Sequence, residues 1–210
     1  TAHVWAMWNV NVSLAQLIES SRMISYAWQW VDSNKVEFRS EFHDGHEQMV
    51  ARLHELWHEA DAIVTWNGDK FDLPIIRREF LTAGLPVPKT IRSFDLVKTA
   101  RKQFKFQSNK LDYVAGEVLG EHKVSHSGHQ LWVDCLAGDP KAWSKMKTYN
   151  MQDTRLTTRL WHALKGYIPS YFEVSDEPRC SKCGGIDLER RGFAYTDVSK
   201  YQQYRCRECG

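Results

Sequence analysis

Four cysteines in two Cys-x-x-Cys pairs constrain the C-terminal end of this chain more strongly than any other feature of its 210 residues. The first pair is Cys180 and Cys183, the second is Cys206 and Cys209, and a glycine directly follows each pair. Four thiolates at this spacing can close a tetrahedral zinc site, and glycine permits the tight turn of the backbone towards the metal. A unit this small needs such a site because it cannot bury enough apolar surface to fold by itself.

The segment between the two cysteine pairs is rich in β-forming residues on both sides of a turn at 196–200. We predict strands at 193–195 and 201–204, and therefore a zinc ribbon over residues 178–210. A purely structural role for its zinc is one interpretation of this unit. Contact with nucleic acid is a second, because the unit carries several basic side chains: Arg190, Arg191, Lys200, Arg205 and Arg207.

The remaining cysteine, Cys135, lies among apolar residues and is predicted to be a small buried hydrophobic residue. An unpaired thiol beside Cys-x-x-Cys pairs, without a secretory signal pattern, is typical of a reducing compartment. No apolar run approaches the roughly 20 residues of a membrane helix, so we expect no membrane association. These features favour a cytoplasmic protein.

Positive charge is distributed unevenly along the chain, although the net charge of +2 is too small to indicate a nucleic-acid partner by itself. Residues 92–110 concentrate basic side chains and interleave them with Phe94, Phe104 and Phe106. Such a stretch suits a phosphate backbone and stacked bases. The alternative, which composition alone favours, is a solvated loop whose phenylalanines face the core.

The hydrophobic pattern before the zinc ribbon predicts an α/β domain in which helices flank a mixed sheet. β-Forming runs at 23–31 and 36–42, on either side of a polar turn, indicate a hairpin. Further along the chain we predict strands at 62–66 and 90–94 and helices at 45–60, 74–83 and 110–119. Residues 166–178 contain prolines, serines and acidic residues and are predicted to link this domain to the terminal unit.

A long amphipathic helix is predicted to start at Asp139 and Pro140, because aspartate can cap free backbone N–H groups and proline fits the first helical position. Apolar residues recur every three or four positions along this helix. Tyr149 and Asp153 lie in that apolar stripe, one turn apart. A charged, unpaired aspartate on a buried face costs on the order of several kcal/mol. We therefore expect Asp153 to have a metal ion or another cation as its partner.

Residues from His54 to His58 match the His-Glu-x-x-His pattern of zinc peptidases, in which two histidines bind zinc and the glutamate acts as a base. Glu79, on the following helix, is the candidate third ligand. The amphipathic phase argues against this site, because it places both histidines on the flank of the buried face and Glu55 towards water. A zinc peptidase is therefore a remote alternative function. Three further histidines lie in a polar stretch and are predicted to be surface residues: His122, His126 and His129.

Two motifs of this chain resemble those of the DEDD superfamily of 3′–5′ exonucleases. Residues 67–72 match its second motif, N-x-x-x-F-D, and residues 149–153 match its third motif, Y-x-x-x-D. By its tyrosine the chain resembles the DEDDy subgroup, near the proofreading domains of family B DNA polymerases. It looks closest to stand-alone ribonuclease-H-like exonucleases of phage and bacteria that carry a C-terminal zinc ribbon. The similarity runs over nearly the whole chain and includes residues 110–115 and 146–157.

The resemblance implies a ribonuclease-H-like exonuclease domain over residues 1–170 that hydrolyses phosphodiester bonds with the help of metal ions. Two divalent ions about 3.5–4 Å apart can activate water and stabilise charge on a phosphate, and magnesium or manganese prefers carboxylate ligands. By resemblance, Asp72 and Asp153 would bind Mg²⁺ or Mn²⁺, and Tyr149 would orient the attacking water. The implied substrate contacts are Asn67, Phe71 and Lys110.

The resemblance also implies partners and a setting. The partner would be the 3′ end of a single-stranded nucleic acid, with a DNA polymerase or replication protein as a further candidate, in the cytoplasm of a bacterium or phage-infected host. Hydrolysis of the backbone does not read the sugar, so DNA and RNA both stay open as substrates. Other interpretations of single residues stay open too. Asp72 could cap the following helix, Tyr149 could be a core aromatic residue, and Asp95 is a further metal-ligand candidate.

The chain departs from the family at the first motif, Asp-x-Glu, which supplies two of the four metal-binding carboxylates. No such pair occurs at the start of the chain, where residues 1–5 resemble the segment just after that motif. We expect that the domain lacks its first strand because the chain lacks its natural start; a neutralised motif at Asn9–Asn11 is the alternative. With half of the carboxylates, we expect weak binding of divalent metal and slow or no cleavage. A non-catalytic nucleic-acid-binding module on the same fold is therefore the main alternative function.

Overall fold

The computed structural model describes residues 22–124, 128–168, 178–180, 182–195 and 200–210. The chain divides into two compact units, Thr1–Leu164 and Lys165–Gly210. Several features singled out in the sequence lie outside the described residues: the segment 1–5, Asn9–Asn11, His126 and most of the predicted linker.

The first unit contains an antiparallel β-hairpin, as its two β-forming runs predict. Strand β1 (Ser25–Gln29) pairs with strand β2 (Val36–Ser40) along its full length. A hydrogen bond of 2.9 Å from the Ser33 N–H to the Trp30 carbonyl closes the turn between them. Each strand ends two residues earlier than its β-forming composition predicts, β1 on the turn side and β2 on the helix side. Pairing rather than composition therefore sets the ends of these strands.

A strand, helix, strand arrangement follows the hairpin. After helices α1 (Glu41–Asp44) and α2 (His46–Glu59) come strand β3 (Ala62–Thr65), helix α3 (Asp72–Thr82) and strand β4 (Arg92–Asp95). Strands β3 and β4 are parallel, which requires a crossover, and α3 provides it. Apolar side chains of α2 and α3 form one core cluster with Met23: Met49, Val50, Trp57, Leu73 and Phe80. The carboxyl ends of β3 and β4 therefore lie side by side, and the loop that begins at Trp66 starts there.

Four helices complete the described part of this unit: α4 (Leu96–Gln103), α5 (Leu111–Leu119), α6 (His129–Leu136) and α7 (Pro140–Leu164). Helix α7 packs against both strands of the hairpin, against β3, and against the other three of these helices. Its apolar stripe is buried, and Asp139 caps its start by accepting a hydrogen bond of 2.9 Å from the Lys141 N–H. None of the described helices combines the length and the apolar composition that crossing a lipid bilayer requires.

The structure confirms the α/β class, with helices around small sheets, and it adds two helices of eight residues each, α4 and α6, that the sequence pattern did not predict. Helix α4 occupies much of the basic stretch that was expected to be a solvated loop or a binding segment. It starts there because the Asp95 carboxylate accepts a hydrogen bond from the Val97 N–H and so caps the helix. Helix α6 begins at His129, so this histidine belongs to a helix rather than to a polar loop.

The second unit contains strands β5 (Leu188–Tyr195) and β6 (Lys200–Cys206), which are antiparallel. A bulge between Arg190 and Phe193 sets two residues of β5 against one residue of β6. Gly192 in the bulge has a φ of +87°, a backbone conformation that glycine adopts without strain. Both strands are longer than predicted, and β6 runs directly into Cys206.

Candidate functional site

One buried carboxylate at the end of β4 holds the loop between β3 and α3. Asp95 is 6% exposed, and its oxygens accept hydrogen bonds from three backbone N–H groups. The donors are Asn67 at 2.7 Å, Asp69 at 3.3 Å and Val97 at 3.2 Å. Asp95, a metal-ligand candidate in the sequence, therefore serves to organise the loop that carries the second motif.

The conformation of this loop accounts for its residue types. Asn67 has a φ of +67°, in the left-handed region that asparagine tolerates better than most residues other than glycine. A Cβ atom at position 68 would lie 2.5 Å from the Cβ of Thr65, so glycine is required there. Asp69 accepts a hydrogen bond of 2.5 Å from the Ser93 hydroxyl. The loop is thus tied to both strands of the parallel pair.

Replacing Asp95 with alanine is expected to lower the free energy of unfolding by about 3 kcal/mol, because buried backbone N–H groups lose a charged acceptor. Asp95→Asn keeps one acceptor oxygen, so its loss of stability should be smaller. Urea denaturation of both variants measures the difference. An unchanged denaturation midpoint for Asp95→Ala would mean that these N–H groups find other acceptors.

Asp72 and Phe71 stand where the loop enters α3. Asp72 is the first residue of the helix, and Phe71 occupies the cap position without a side-chain capping hydrogen bond, so the helix-cap interpretation of Asp72 is wrong. Partial loss of solvation raises the pKa of the Asp72 carboxyl above its ordinary value, and the negative charge of Asp95 raises it further. Phe71 exposes about half of its surface, and Lys70 Nζ lies 5.5 Å from its ring centroid. A carboxyl group under repulsion from a second carboxylate favours binding of a cation.

Lys110 stands at the cap position of α5 and is exposed. The backbone carbonyl of its neighbour Asn109 accepts a hydrogen bond of 3.1 Å from Trp66 Nε1. This bond ties the start of α5 to the segment that immediately precedes Asn67. Two of the three predicted substrate contacts, Asn67 and Lys110, therefore belong to segments that are held together.

Tyr149 and Asp153 on α7 meet a lysine from the loop after α5. Lys123 Nζ lies 2.6 Å from Asp153 Oδ2, 3.3 Å from the Tyr149 hydroxyl and 4.8 Å from the Tyr149 ring centroid. Burial opposes the charge on Lys123, but the Asp153 carboxylate outweighs it and keeps the pKa of the lysine above its ordinary value. Burial, followed by the charge of Asp153, raises the pKa of Tyr149. The cation expected beside Asp153 is thus Lys123, although the stripe on α7 offered no such partner.

The stability contributed by Lys123 should depend on pH. Because folding raises the pKa of Lys123, its contribution is complete below the ordinary lysine pKa of about 10.4 and is lost as pH rises through the folded value. Lys123→Met is therefore expected to lower the free energy of unfolding by about 1–2 kcal/mol at neutral pH and by less in strongly alkaline solution. Denaturation of the wild type and the variant, at neutral pH and in strongly alkaline solution, measures the difference in the free energy of unfolding. An equal difference at both values would contradict the assigned ion pair.

The described acidic side chains do not assemble a complete metal site. Among the residues that the structure describes, the four cysteines form the only group of three or more metal-binding side chains that converge. The Asp72 carboxyl feels the charge of Asp95, whereas Asp153 pairs with Lys123. Asp72 and Asp153 carry the hard carboxylate oxygens that Mg²⁺ and Mn²⁺ prefer as ligands.

The pattern from His54 to His58 does not form a metal site with its candidate third ligand. Glu79 is buried and accepts a hydrogen bond of 3.0 Å from the Met23 N–H. The second oxygen of Glu79 lies 3.1 Å from His46 Nε2. Glu79 is therefore a structural partner of the segment before β1, and the zinc-peptidase alternative loses its third ligand.

The four paired cysteines of the second unit bring their Sγ atoms within 4.8 Å of one another. Cys180 Sγ lies 3.5 Å from Cys209 Sγ, and Cys183 Sγ lies 3.6 Å from Cys206 Sγ. These distances are far longer than the about 2.0 Å of a disulfide bond. They are close to the about 3.8 Å that separates sulfurs around a tetrahedral zinc with Zn–S bonds of about 2.3 Å. The cluster fits a zinc ion.

Backbone hydrogen bonds favour the thiolate form of one of these cysteines, Cys180. N–H groups of Cys183 and Lys182 point at the sulfur of Cys180 and lower the pKa of its thiol to about 6, and the Lys182 N–H lies 3.4 Å from it. The thiolate is the form that binds zinc. Cys135 behaves differently, because burial raises the pKa of its thiol to about 11. It packs as a small apolar residue against Trp143, as expected from the sequence.

Comparison with known proteins points to one family. The family model of the RNase_H superfamily matches residues 19–165. The chain is 32% identical over 114 residues to the DNA polymerase catalytic subunit of Equine herpesvirus 1, covering 54% of this chain and 8% of that protein. It is 28% identical over 170 aligned residues to DNA polymerase 1 of Pyrococcus abyssi, covering 66% of this chain and 21% of that protein. The chain therefore spans about a fifth or less of the length of these curated relatives.

A solved structure shares the fold. The family B DNA polymerase of the hyperthermophilic archaeon Pyrobaculum calidifontis superposes with a TM-score of 0.53 at 20% sequence identity. The superposition covers 62% of this chain and 20% of the polymerase. The matching family model, the α/β architecture and the two sequence motifs agree with one another. This chain belongs to the RNase H superfamily.

Proposed function

We propose that this chain is the nuclease part of a metal-dependent 3′–5′ exonuclease that hydrolyses phosphodiester bonds of single-stranded DNA or RNA. The observation that carries this proposal is the cluster on α7, in which Tyr149 and Asp153 stand at the spacing of the third motif and share Lys123. Membership of the RNase H superfamily and similarity to DNA polymerases support a nuclease. A DNA polymerase or replication protein remains the proposed partner.

The chemistry requires an aligned water, stabilisation of charge on the phosphate and a hold on the terminal nucleotide. Asp72 and Asp153 would hold Mg²⁺ or Mn²⁺, which when bound supplies neutralisation of the phosphate charge and activation of water. Tyr149 is protonated at neutral pH, as a tyrosine with its ordinary pKa of about 10 already is, and burial raises its pKa further. Its hydroxyl can therefore donate or accept a hydrogen bond while it orients the water. Lys123 contacts both side chains and would hold the Tyr149 hydroxyl close to the Asp153 carboxylate.

The hold on the substrate is assigned to the loop after β3 and the start of α5. The exposed ring of Phe71 would pack on the terminal base or sugar. Asn67 would form hydrogen bonds with the nucleotide, and Lys110 would pair with a backbone phosphate. These contacts read shape and charge rather than base identity.

The test incubates 5′-labelled single-stranded DNA and RNA with the protein and Mg²⁺ or Mn²⁺. We expect products that shorten stepwise from the 3′ end, and no products from an oligonucleotide whose 3′ end is blocked. Because no Asp-x-Glu pair occurs near the start of the 210 residues, we expect slow cleavage by this chain. Internal cleavage of the blocked oligonucleotide would contradict the exonuclease proposal.

A non-catalytic nucleic-acid-binding module is the second candidate function. One observation favours it: no three of the described carboxylates converge, and Lys123 already neutralises Asp153. This candidate predicts oligonucleotide binding that does not respond to Mg²⁺ or Mn²⁺. It also predicts no shortening of the oligonucleotide at any metal concentration.

A further inference from the structure

One face of the β5–β6 hairpin gathers aromatic and basic side chains. Residues directly opposite each other in an antiparallel pair share a face, as do residues two apart along a strand. By the observed register, one face carries eight residues, with Leu188 and Cys206 at one end of the hairpin. The other six are called the aromatic face: Arg190, Phe193, Tyr195, Lys200, Gln202 and Tyr204.

The bulge in β5 decides the composition of this face. Without it, Arg190 and Phe193 would point to opposite sides, because they are three positions apart. Arg190 is opposite Tyr204 and Phe193 is opposite Gln202, and Gln202 and Tyr204 are two apart, so the bulge puts both β5 residues on one side. Arg190 therefore lies on the same face of the hairpin as the aromatic rings.

The aromatic face is open to solvent and positively charged. Tyr195 is 70% exposed, Phe193 47% and Tyr204 41%. Lys200 Nζ lies 3.7 Å from the ring centroid of Phe193 and 5.7 Å from that of Tyr195, so the cation sits among the rings. The strand residues described on this face include two cations and no acidic residue, whereas on the opposite face Glu189 stands directly opposite Arg205.

We infer that the aromatic face binds single-stranded nucleic acid, with bases stacked on the tyrosines and backbone phosphates paired with Lys200 and Arg190. Exposed aromatic rings can stack on the faces of unpaired bases, which are covered in a duplex. The two cations complement a phosphate backbone rather than an apolar protein surface. The inference rests on the proposed function only in that both take single-stranded nucleic acid as the ligand. The cysteine cluster lies at one end of the hairpin, because Cys206 is the last residue of β6.

The test measures fluorescence anisotropy of a labelled oligothymidylate with the zinc-loaded full chain, without Mg²⁺ or Mn²⁺. Tyr195→Ala and Tyr204→Ala should each raise Kd about tenfold, since a stacked base contributes about 1–3 kcal/mol. Lys200→Gln should reduce the dependence of log Kd on log salt by about one unit. The matched control is Tyr201→Ala, which removes a tyrosine that is 55% exposed on the opposite face and should change Kd less than about twofold.

Each variant must retain its zinc, so that loss of binding does not reflect an unfolded hairpin. Equal losses for Tyr201→Ala and Tyr195→Ala, or no loss for Tyr195→Ala and Tyr204→Ala, would overturn the inference. Asp61→Asn should keep the wild-type Kd in this assay, because Asp61 is an exposed residue outside both the hairpin and the proposed catalytic site. If the protein binds as expected but never shortens an oligonucleotide, the proposed function fails while the aromatic face stands.

Discussion

Asp153→Asn is expected to reduce the rate of 3′-end hydrolysis by about 10²-fold or more, measured as the loss of labelled oligonucleotide in the presence of Mg²⁺ or Mn²⁺. The substitution preserves the shape of the side chain but removes a charged oxygen ligand. Stabilisation of charge by a bound metal contributes several kcal/mol to the transition state, and each 1.36 kcal/mol is a factor of about ten in rate. Cleavage that persists undiminished in this variant would sink the site assignment.

Two controls separate chemistry from folding in this experiment. Lys123→Met breaks the same ion pair from the other side but leaves the Asp153 carboxylate in place. If the loss in Asp153→Asn came only from the broken ion pair, both variants would lose the same activity. Asp61→Asn changes an exposed aspartate at the opposite end of β3 and should leave the rate unchanged.

Removal of zinc is expected to unfold the β5–β6 hairpin completely, with little change in the unfolding of the first unit. So small a hairpin exposes most of its side chains, and a structural metal contributes folding free energy directly. Cys206→Ser should have the same effect as a chelator, because Cys206 is the buried member of the cluster. Elemental analysis should find one zinc per chain in the wild type, and amide NMR signals of the hairpin should collapse in the variant.

The matched control for zinc removal is Cys135→Ala. This substitution removes a buried cysteine that belongs to the helical core with Trp143 and is not one of the four converging cysteines, so the zinc content should not change. A hairpin that stays folded after complete chelation would contradict a structural role for the metal. Loss of zinc from Cys135→Ala would contradict the assignment of the four ligands.

Much of the fold could be predicted from local patterns, because helix and strand periodicities act over neighbouring residues. The hairpin, the parallel strands and the long last helix all follow this rule, and their observed bounds differ from the predictions by a few residues. Helix α4 was missed because its polar and basic composition resembles a solvated loop. Its start depends on the Asp95 cap, which also serves another segment.

The residues of the candidate site also divide into those that local spacing predicts and those that depend on packing. The spacing of Tyr149 and Asp153 on one helix turn could be read directly, as could the spacing of the cysteines. Lys123 could not, because a lysine in a polar loop carries no local signal and reaches Asp153 only when α5 and α7 pack together. A signal did exist for Asp95: it ends one of two neighbouring parallel strands, where polar side chains converge.

The sequence by itself determined the class of fold, the two cysteine pairs and the motifs of the superfamily, because each depends on residue types at short, fixed spacings. Only the tertiary structure decided how those residues are partnered. It assigned Lys123 to Asp153, assigned Asp95 to the loop of the second motif, and used the bulge to bring Arg190 onto the aromatic face. These partnerships join residues that are distant along the chain or depend on pairing register, and such contacts are set by packing and backbone geometry rather than by local pattern.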